Sequence, residues 1–256
     1  MNKISYSQYS MWAQCPHRWK TAYIDGKREF SDNIHTLFGT SMHEVIQAFL
    51  TVMYEDTAKA AEALPLEEML RTRMKRNFED ILKNNGGEMF CTEKDMVEFY
   101  MHGVEILKFI RKKRAQYFSK KGYELVGIEV PLEYDLPNNI KFIGYIDVVI
   151  KDTVRDVIKI YDIKTSTMGW NKWMKADKNK TDQLLLYKQF YGAENEIPLD
   201  KIDVEYFIVK RKLYEGLDFP QRRIQTFSPA SGKPSINKVI NNLNQFLEES
   251  FINGEY

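Results

Sequence analysis

Three runs rich in Val, Ile and Tyr follow one another closely between residues 123 and 163. They read YELVGIEVPL (123–132), IKFIGYIDVVI (140–150) and VIKIYDI (157–163). Only Pro137-Asn138-Asn139 and the charged stretch from Lys151 to Asp156 separate them. Such runs, bounded by turn residues, predict three consecutive strands with short connections. The middle run is apolar on both faces of a strand, so the sheet it builds has to be covered on both sides. The chain must therefore supply helices for two layers.

The first half of the chain has the texture for them. Met42, Val45, Ile46, Phe49, Leu50 and Met53 recur in steps of three and four, one stripe of a helix over 40–54. Residues 66–84 and 93–118 repeat that spacing, and Gly86-Gly87 breaks it between them. After the strands come a helix at about 180–191, a strand at 203–210 and a helix at 235–250. The order predicts an α/β (α+β) layered fold: a central mixed β-sheet flanked by helices. With 256 residues and no low-complexity linker, a single domain over 1–256 is expected. Within it, 40–118 forms a mainly helical subdomain and 123–210 the sheet core.

Charge narrows the function. Lys and Arg number 37 and Asp and Glu 36, so phosphate binding has to come from local patches. No apolar run approaches the ~20 residues of a membrane helix, and the polar first ten residues lack a signal-peptide core. With two cysteines, a disulfide scaffold is excluded and a cytoplasmic setting is the default.

The chemistry concentrates on the strands. Asp162 and Lys164, two apart, share one face and lie about 7 Å apart along the strand. Asp147 sits in the preceding strand inside Ile146-Asp147-Val148-Val149-Ile150. A buried, unpaired carboxylate is costly. A divalent cation gives these groups a reason to coexist, since carboxylate oxygens are hard ligands suited to magnesium. A salt bridge between Lys164 and one Asp is the plainer alternative. Gln183 and Tyr187, at i and i+4, share one face of the next helix. Two ordinary surface residues are the alternative there. His43 lies beside the apolar stripe in Gly39-Thr40-Ser41-Met42-His43-Glu44. It reads as a structural histidine or a ligand.

Together these residues resemble the RecB-type branch of the PD-(D/E)XK nuclease superfamily, which includes CRISPR-associated exonucleases. That branch carries a G-x-x-x-H-E helix, a G-x-x-D strand, a D/E-x-K strand and a Q-x-x-x-Y helix, in this order. Here they are Gly39–His43–Glu44, Gly144–Asp147, Asp162–Ile163–Lys164 and Gln183–Tyr187. The opening Ser5-x-x-Gln8-Tyr9-x-x-Trp12-x-x-Cys15-Pro16 is also similar. The resemblance implies a restriction-endonuclease-like core with a helical insertion. It further implies metal-assisted hydrolysis of DNA. Asp147, Asp162, the Ile163 carbonyl and His43 would hold Mg²⁺ (or Mn²⁺). Lys164 would serve the attacking water, and Gln183 and Tyr187 would position the DNA backbone or the lysine. Some relatives bind an iron–sulfur cluster through one early and three late cysteines. Cys15 stands at the early position, but no cysteine follows Cys91. A cubane cluster needs four ligands, so none is expected, and Cys15 is expected to be a buried packing residue.

Two basic segments are candidate DNA contacts. Lys172, Lys175, Lys178 and Lys180 are interleaved with Trp170 and Trp173 on a loop that leaves the Asp162–Lys164 strand, a mixture of phosphate neutralisers and stacking rings that suits single strands. Lys108, Arg111, Lys112, Lys113, Arg114, Lys120 and Lys121 precede the first strand. The leading expectation is a magnesium-dependent deoxyribonuclease, an exonuclease on single-stranded or frayed DNA ends, in recombination, repair or viral DNA processing. It would work in the cytoplasm of a bacterial, archaeal or virus-infected cell, with recombination or replication proteins as partners. A structure-specific endonuclease and a non-catalytic DNA-binding module of the same fold are the alternatives.

Overall fold

The computed structural model of the protein describes residues 2–27 and 32–254. A short strand, β1 (Asn2–Ser5), leads into α1 (Tyr6–Gln14) and α2 (Pro16–Tyr23). Four helices follow: α3 (Ile34–Glu55), α4 (Ala58–Ala63), α5 (Leu66–Asn84) and α6 (Glu93–Tyr117). Then come β2 (Tyr123–Leu136), β3 (Ile140–Asp152) and β4 (Val157–Ser166). The chain continues through α7 (Lys172–Ala176), α8 (Lys178–Glu194), β5 (Ile202–Lys210), β6 (Ile224–Phe227) and α9 (Lys233–Leu247).

Local chemistry sets the boundaries. The Asn33 side chain accepts from the His35 and Thr36 N–H groups and so starts α3. Thr92 and Asp95 close a capping box on α6. Asn138 and Asn139 both take left-handed φ, which turns β2 tightly back into β3. The predicted helices and strands are present. β1, α1, α2, α4, α7 and β6 are additions, short elements whose four to nine residues show little periodicity.

One mixed sheet results, in the order β1-β3-β4-β5-β6, with β2 on the other edge of β3. β2 pairs antiparallel with β3 from Tyr123↔Asp152 to Leu136↔Ile140. The opposite edge of β3 is shared. β1 runs parallel to it at Ile140–Ile143, and β4 antiparallel at Val148–Asp152. Gly144 to Asp147 has no strand partner there.

Each face of the sheet carries its own core, as the apolar alternation in β3 requires. On one face Phe142, Ile146, Ile160 and Tyr206 pack with α8, α9 and the aromatic residues of α1 and α2. On the other, Val148, Ile150, Ile163 and Phe207 pack with α3, α5 and α6. The helical segment over 40–118 thus shares a core with the sheet. Tyr9 and Trp12 of the opening motif, with Trp19 of α2, gather around Phe246 of α9. Cys15 corrects the expectation of a buried residue: at the α1–α2 junction it is exposed, and Cys91 is half-buried.

Candidate active site

The gap in the β3 edge is where the polar residues meet. Pairing of β3 with β4 stops at Val148↔Tyr161, so the next residues on each strand, Asp147 and Asp162, are not joined by a ladder. The Asp147 carboxylate takes the ladder's place, with Oδ2 accepting the Ile163 N–H at 2.6 Å. From the helical side, α3 delivers His43, whose Nδ1 lies 3.6 Å from the same oxygen. Gly39, one turn earlier, lets α3 come close, because a Cβ there would lie 3.3 Å from Thr165 Oγ1.

Glu129 of β2 joins this group. Its backbone is left-handed at φ 49°, in a stretch where Ile128 and Val130 pair with Val148 and Ile146. The register brings it opposite Asp147. Gln47, one turn beyond His43, donates to its carboxylate. One ligand atom from each of His43, Glu129 and Asp147 lies within 4.8 Å of the others. The sequence did carry a signal for Glu129: a carboxylate inside the apolar run Gly127-Ile128-Glu129-Val130.

On the other side of the gap, Lys164 Nζ donates to Asp162 Oδ1 at 3.0 Å and to Gln183 Oε1 at 3.0 Å. It also lies 2.8 Å from Asp162 Oδ2, an atom that is buried and receives no well-directed hydrogen bond. Gln183 Nε2 donates to the Tyr187 hydroxyl at 3.1 Å. Tyr187 is buried, with its ring over Gly144, where a Cβ would come within 3.0 Å of it. The G-x-x-D glycine is therefore required by contact with the Q-x-x-x-Y tyrosine. Gln183 and Tyr187 hold the lysine; they are not free surface groups.

The electrostatics are unbalanced. Burial pushes the Asp147 carboxyl well above the usual carboxylate range, and Asp162 and Glu129 add to this; Lys164 and the Ile163 N–H oppose it. Burial also lowers His43, which favours the neutral, ligand-competent imidazole. Burial alone would lower Lys164, but Asp162 and Asp147 outweigh it, and its pKa is raised. Three carboxylates thus face one ammonium. The Asp162 oxygen that lacks a directed hydrogen bond and the mixed nitrogen and oxygen donors fit a hard divalent cation, which would relieve that excess.

Beside Lys164 opens a cleft of about 580 Å³. Ser7, Ser10, Gln14 and Arg18 of the opening helices line it, with Asn179, Lys180 and Gln183 opposite.

The family profile of the PD-(D/E)XK nuclease superfamily matches residues 3–251. The chain belongs to this superfamily. The crystal structure of a protein named "Putative exonuclease" from Eubacterium rectale superposes with a TM-score of 0.55 at 14% identity. That match covers 100% of this chain and 83% of the other, and it shows the same fold. A structure named SSO0001 matches with a TM-score of 0.37 and 13% identity, over 96% of this chain and 76% of that one. Among curated proteins, none matches the chain. PD-(D/E)XK nucleases use divalent metals, and membership supports a nuclease acting on DNA. Among the described residues, no helix is long and apolar enough to cross a membrane.

Within this nuclease fold, the structure corrects two expectations about DNA contacts. Residues 170–180 are not an open loop but mostly the short helix α7 and the start of α8. Trp170 is only 8% exposed and packs on Tyr206 at 4.8 Å, so its ring belongs mainly to the core, although it also forms part of the wall of the cleft beside Lys164. Trp173 is 73% exposed, with Lys172 Nζ 4.8 Å from its ring centroid. The Lys108–Lys121 cluster lies at the far end of the sheet. Tyr123, just after it, pairs with Asp152, which pairs with Val157, five residues or about 17 Å of strand before Asp162. Several of its cations are already engaged: Lys108 by Glu105, Arg114 by Glu62, and Arg111 by the Leu64 carbonyl.

Proposed function

We propose that the protein is a divalent-metal-dependent deoxyribonuclease that degrades single-stranded or frayed DNA from free ends. One observation carries this reading. Groups from α3, β2, β3, β4 and α8 converge on the stretch of β3, Gly144 to Asp147, that β1 and β4 leave open along one edge. A structural salt bridge needs only Lys164 and Asp162; it does not need His43, Glu129 and a second buried aspartate alongside.

His43, Glu129, Asp147 and Asp162, with the Ile163 carbonyl, would hold Mg²⁺ or Mn²⁺. When bound, such an ion supplies Lewis-acid stabilisation of the phosphoryl oxygens and a more acidic water. Asp147 keeps its donor from Ile163 and presents its other oxygen. Neutral His43 contributes a nitrogen lone pair. Lys164, with its raised pKa, is an ammonium. It is suited to donate to the phosphoryl group or to orient the water, not to remove the water's proton. Gln183, itself anchored by Tyr187, stops Lys164 from folding entirely onto Asp162. The strand would lie in the cleft between α1 and α8. Trp173 and its neighbouring lysines would receive unpaired bases and phosphates at its rim. The setting consistent with this activity is cytoplasmic DNA recombination, repair or viral DNA processing, alongside recombination or replication proteins.

The test is degradation of end-labelled linear DNA beside closed circles of the same sequence, with Mg²⁺ and with EDTA. Magnesium-dependent loss of linear DNA with intact circles is the expected result. Rapid nicking of closed circles would replace this reading with an endonuclease, and no cleavage under any condition would remove the catalytic reading.

A further inference from the structure

A second, smaller cavity of about 160 Å³ lies just past Lys164 on the strand. Thr165 and Thr167 form part of its wall, with Arg211, His35 and the rings of Phe38 and Phe99. Thr165 and Ser166, which follow Lys164 on β4, line both this cavity and the larger cleft, so the two openings meet at the end of that strand. It is too small for a nucleoside and suits a phosphate group.

Arg211 is the informative residue. It is 7% exposed, and its backbone N–H donates to the Ser166 carbonyl at 2.8 Å, which fixes it beside the end of β4. Its guanidinium lies over the Phe99 ring at 4.0 Å. One nitrogen, Nη1, is used: it donates to Glu98 Oε1 at 3.0 Å and lies 3.2 Å from His102 Nδ1. Nε and Nη2 meet no acceptor among the described residues. Two parallel N–H donors on a rigid plane match two oxygens of a phosphate. Glu98 does not balance the charge here, because Lys212 Nζ also lies 2.9 Å from its Oε1. Two cations therefore share one carboxylate. The hydroxyls of Thr165 and Thr167 make no hydrogen bond among the described residues and add two donors.

We infer that this cavity is a subsite for the terminal phosphate of a DNA strand, gripped by the free Nε and Nη2 of Arg211. It rests on the reading of the adjacent cleft as the seat of a DNA strand. A terminal phosphate carries more than one negative charge at neutral pH and three free oxygens. An internal phosphodiester has one charge and two. The unmatched positive charge, the fork and the paired hydroxyls favour the terminal group, as does the small volume. A phosphate seated here would set an end of the strand at a fixed distance from Lys164.

The experiment measures binding of short single strands bearing a dye on one end and a 5′-phosphate, a 3′-phosphate or only hydroxyls on the ends, by fluorescence anisotropy in EDTA. Wild type should bind one phosphorylated end at least about tenfold more tightly than the hydroxyl-ended strand. Arg211→Gln should erase that preference, and Arg211→Lys should lose most of it, because charge without the fork does not suffice. Glu98→Gln should move the other way and strengthen the preference, a change that a purely structural Arg211 would not produce. Thermal melting checks that each variant is folded; if Arg211→Gln is not, Arg211→Lys and Glu98→Gln decide. Equal binding of all ends by wild type overturns the inference, as does an unchanged preference in Arg211→Lys and Glu98→Gln. Cleavage of hydroxyl-ended DNA by wild type with Mg²⁺ is measured in parallel. Cleavage without end preference sinks the subsite and leaves the nuclease; end preference without cleavage sinks the nuclease and leaves the subsite.

Discussion

The two edges of β3 are built differently. Along one, β2 pairs with it from Tyr123↔Asp152 to Leu136↔Ile140, and its backbone groups are satisfied by a ladder. Along the other, β1 and β4 take the two ends and leave Gly144 to Asp147 open. In the open stretch, side chains do what backbone does elsewhere: the Asp147 carboxylate accepts the Ile163 N–H, and Tyr187 fills the space over Gly144. The paired edge is where stability resides, and the open one is where chemistry is possible, because only there do charged groups approach without a ladder between them. The open stretch carries a cost: burial first, and then repulsion from Asp162, raise the Asp147 carboxyl well above the usual carboxylate range.

This contrast can be broken at several strengths. The largest effect belongs to the open stretch. Lys164→Ala and Asp162→Ala should each lower cleavage at least about 10³-fold, with a normal circular dichroism spectrum and melt. Cleavage by both variants at the wild-type rate would place the chemistry elsewhere.

Core changes should show the reverse pattern. Phe142 is fully buried under Phe190 at 4.7 Å, and Trp170 packs on Tyr206. Phe142→Ala and Trp170→Ala should each cost about 3–5 kcal/mol of stability by urea denaturation. A Trp170→Ala variant that kept its stability but lost single-strand binding would return this ring to the DNA contacts.

Trp173→Ala should leave stability within about 0.5 kcal/mol and weaken single-strand binding by about 1–3 kcal/mol. Unchanged anisotropy titrations would remove α7 from the interface without touching the metal site.

The smallest effect sharpens the contrast most. Asp147 holds a proton more tightly in the folded protein than in the unfolded chain. Folding stability from this group therefore rises as pH falls through its raised pKa and is lost above it. In EDTA, Asp147→Asn should melt higher than wild type at pH 8, by about 1 kcal/mol, while losing activity. The difference should shrink as pH is lowered, because the wild-type carboxyl is then neutral as well. Burial lowers His43, so its protonation costs folding stability below about pH 6.5, and the comparison is read above that pH. A lower melting point for Asp147→Asn at pH 8 would mean that its hydrogen bond outweighs the cost of burial and repulsion.

Much of this was legible in the residues. The periodic stripes of α3, α5 and α6 and the Val- and Ile-rich strands are local patterns, and they place elements within a few residues. The Asp162–Lys164 pair and the Gln183–Tyr187 spacing also needed only the strand and helix periods. Glu129 was harder. Its role depends on a left-handed residue and on the register that sets it against Asp147, and neither is encoded in its neighbours. Arg211 was invisible for the same reason. Glu98 and His102, its partners, lie more than a hundred residues earlier.

By itself, the amino-acid sequence determined the long helices and strands, that the sheet is covered on both faces, and which residues carry the nuclease motifs. Tertiary structure alone decided which tryptophan is core and which is surface, which basic segment lies near the site, and that Cys15 is exposed. The reason is physical. Periodicity reports the face a side chain takes on its own element, and that is a local property of the backbone. Whether that face meets a core, a cleft or water depends on which distant element packs against it, and a one-dimensional pattern holds no record of that partner.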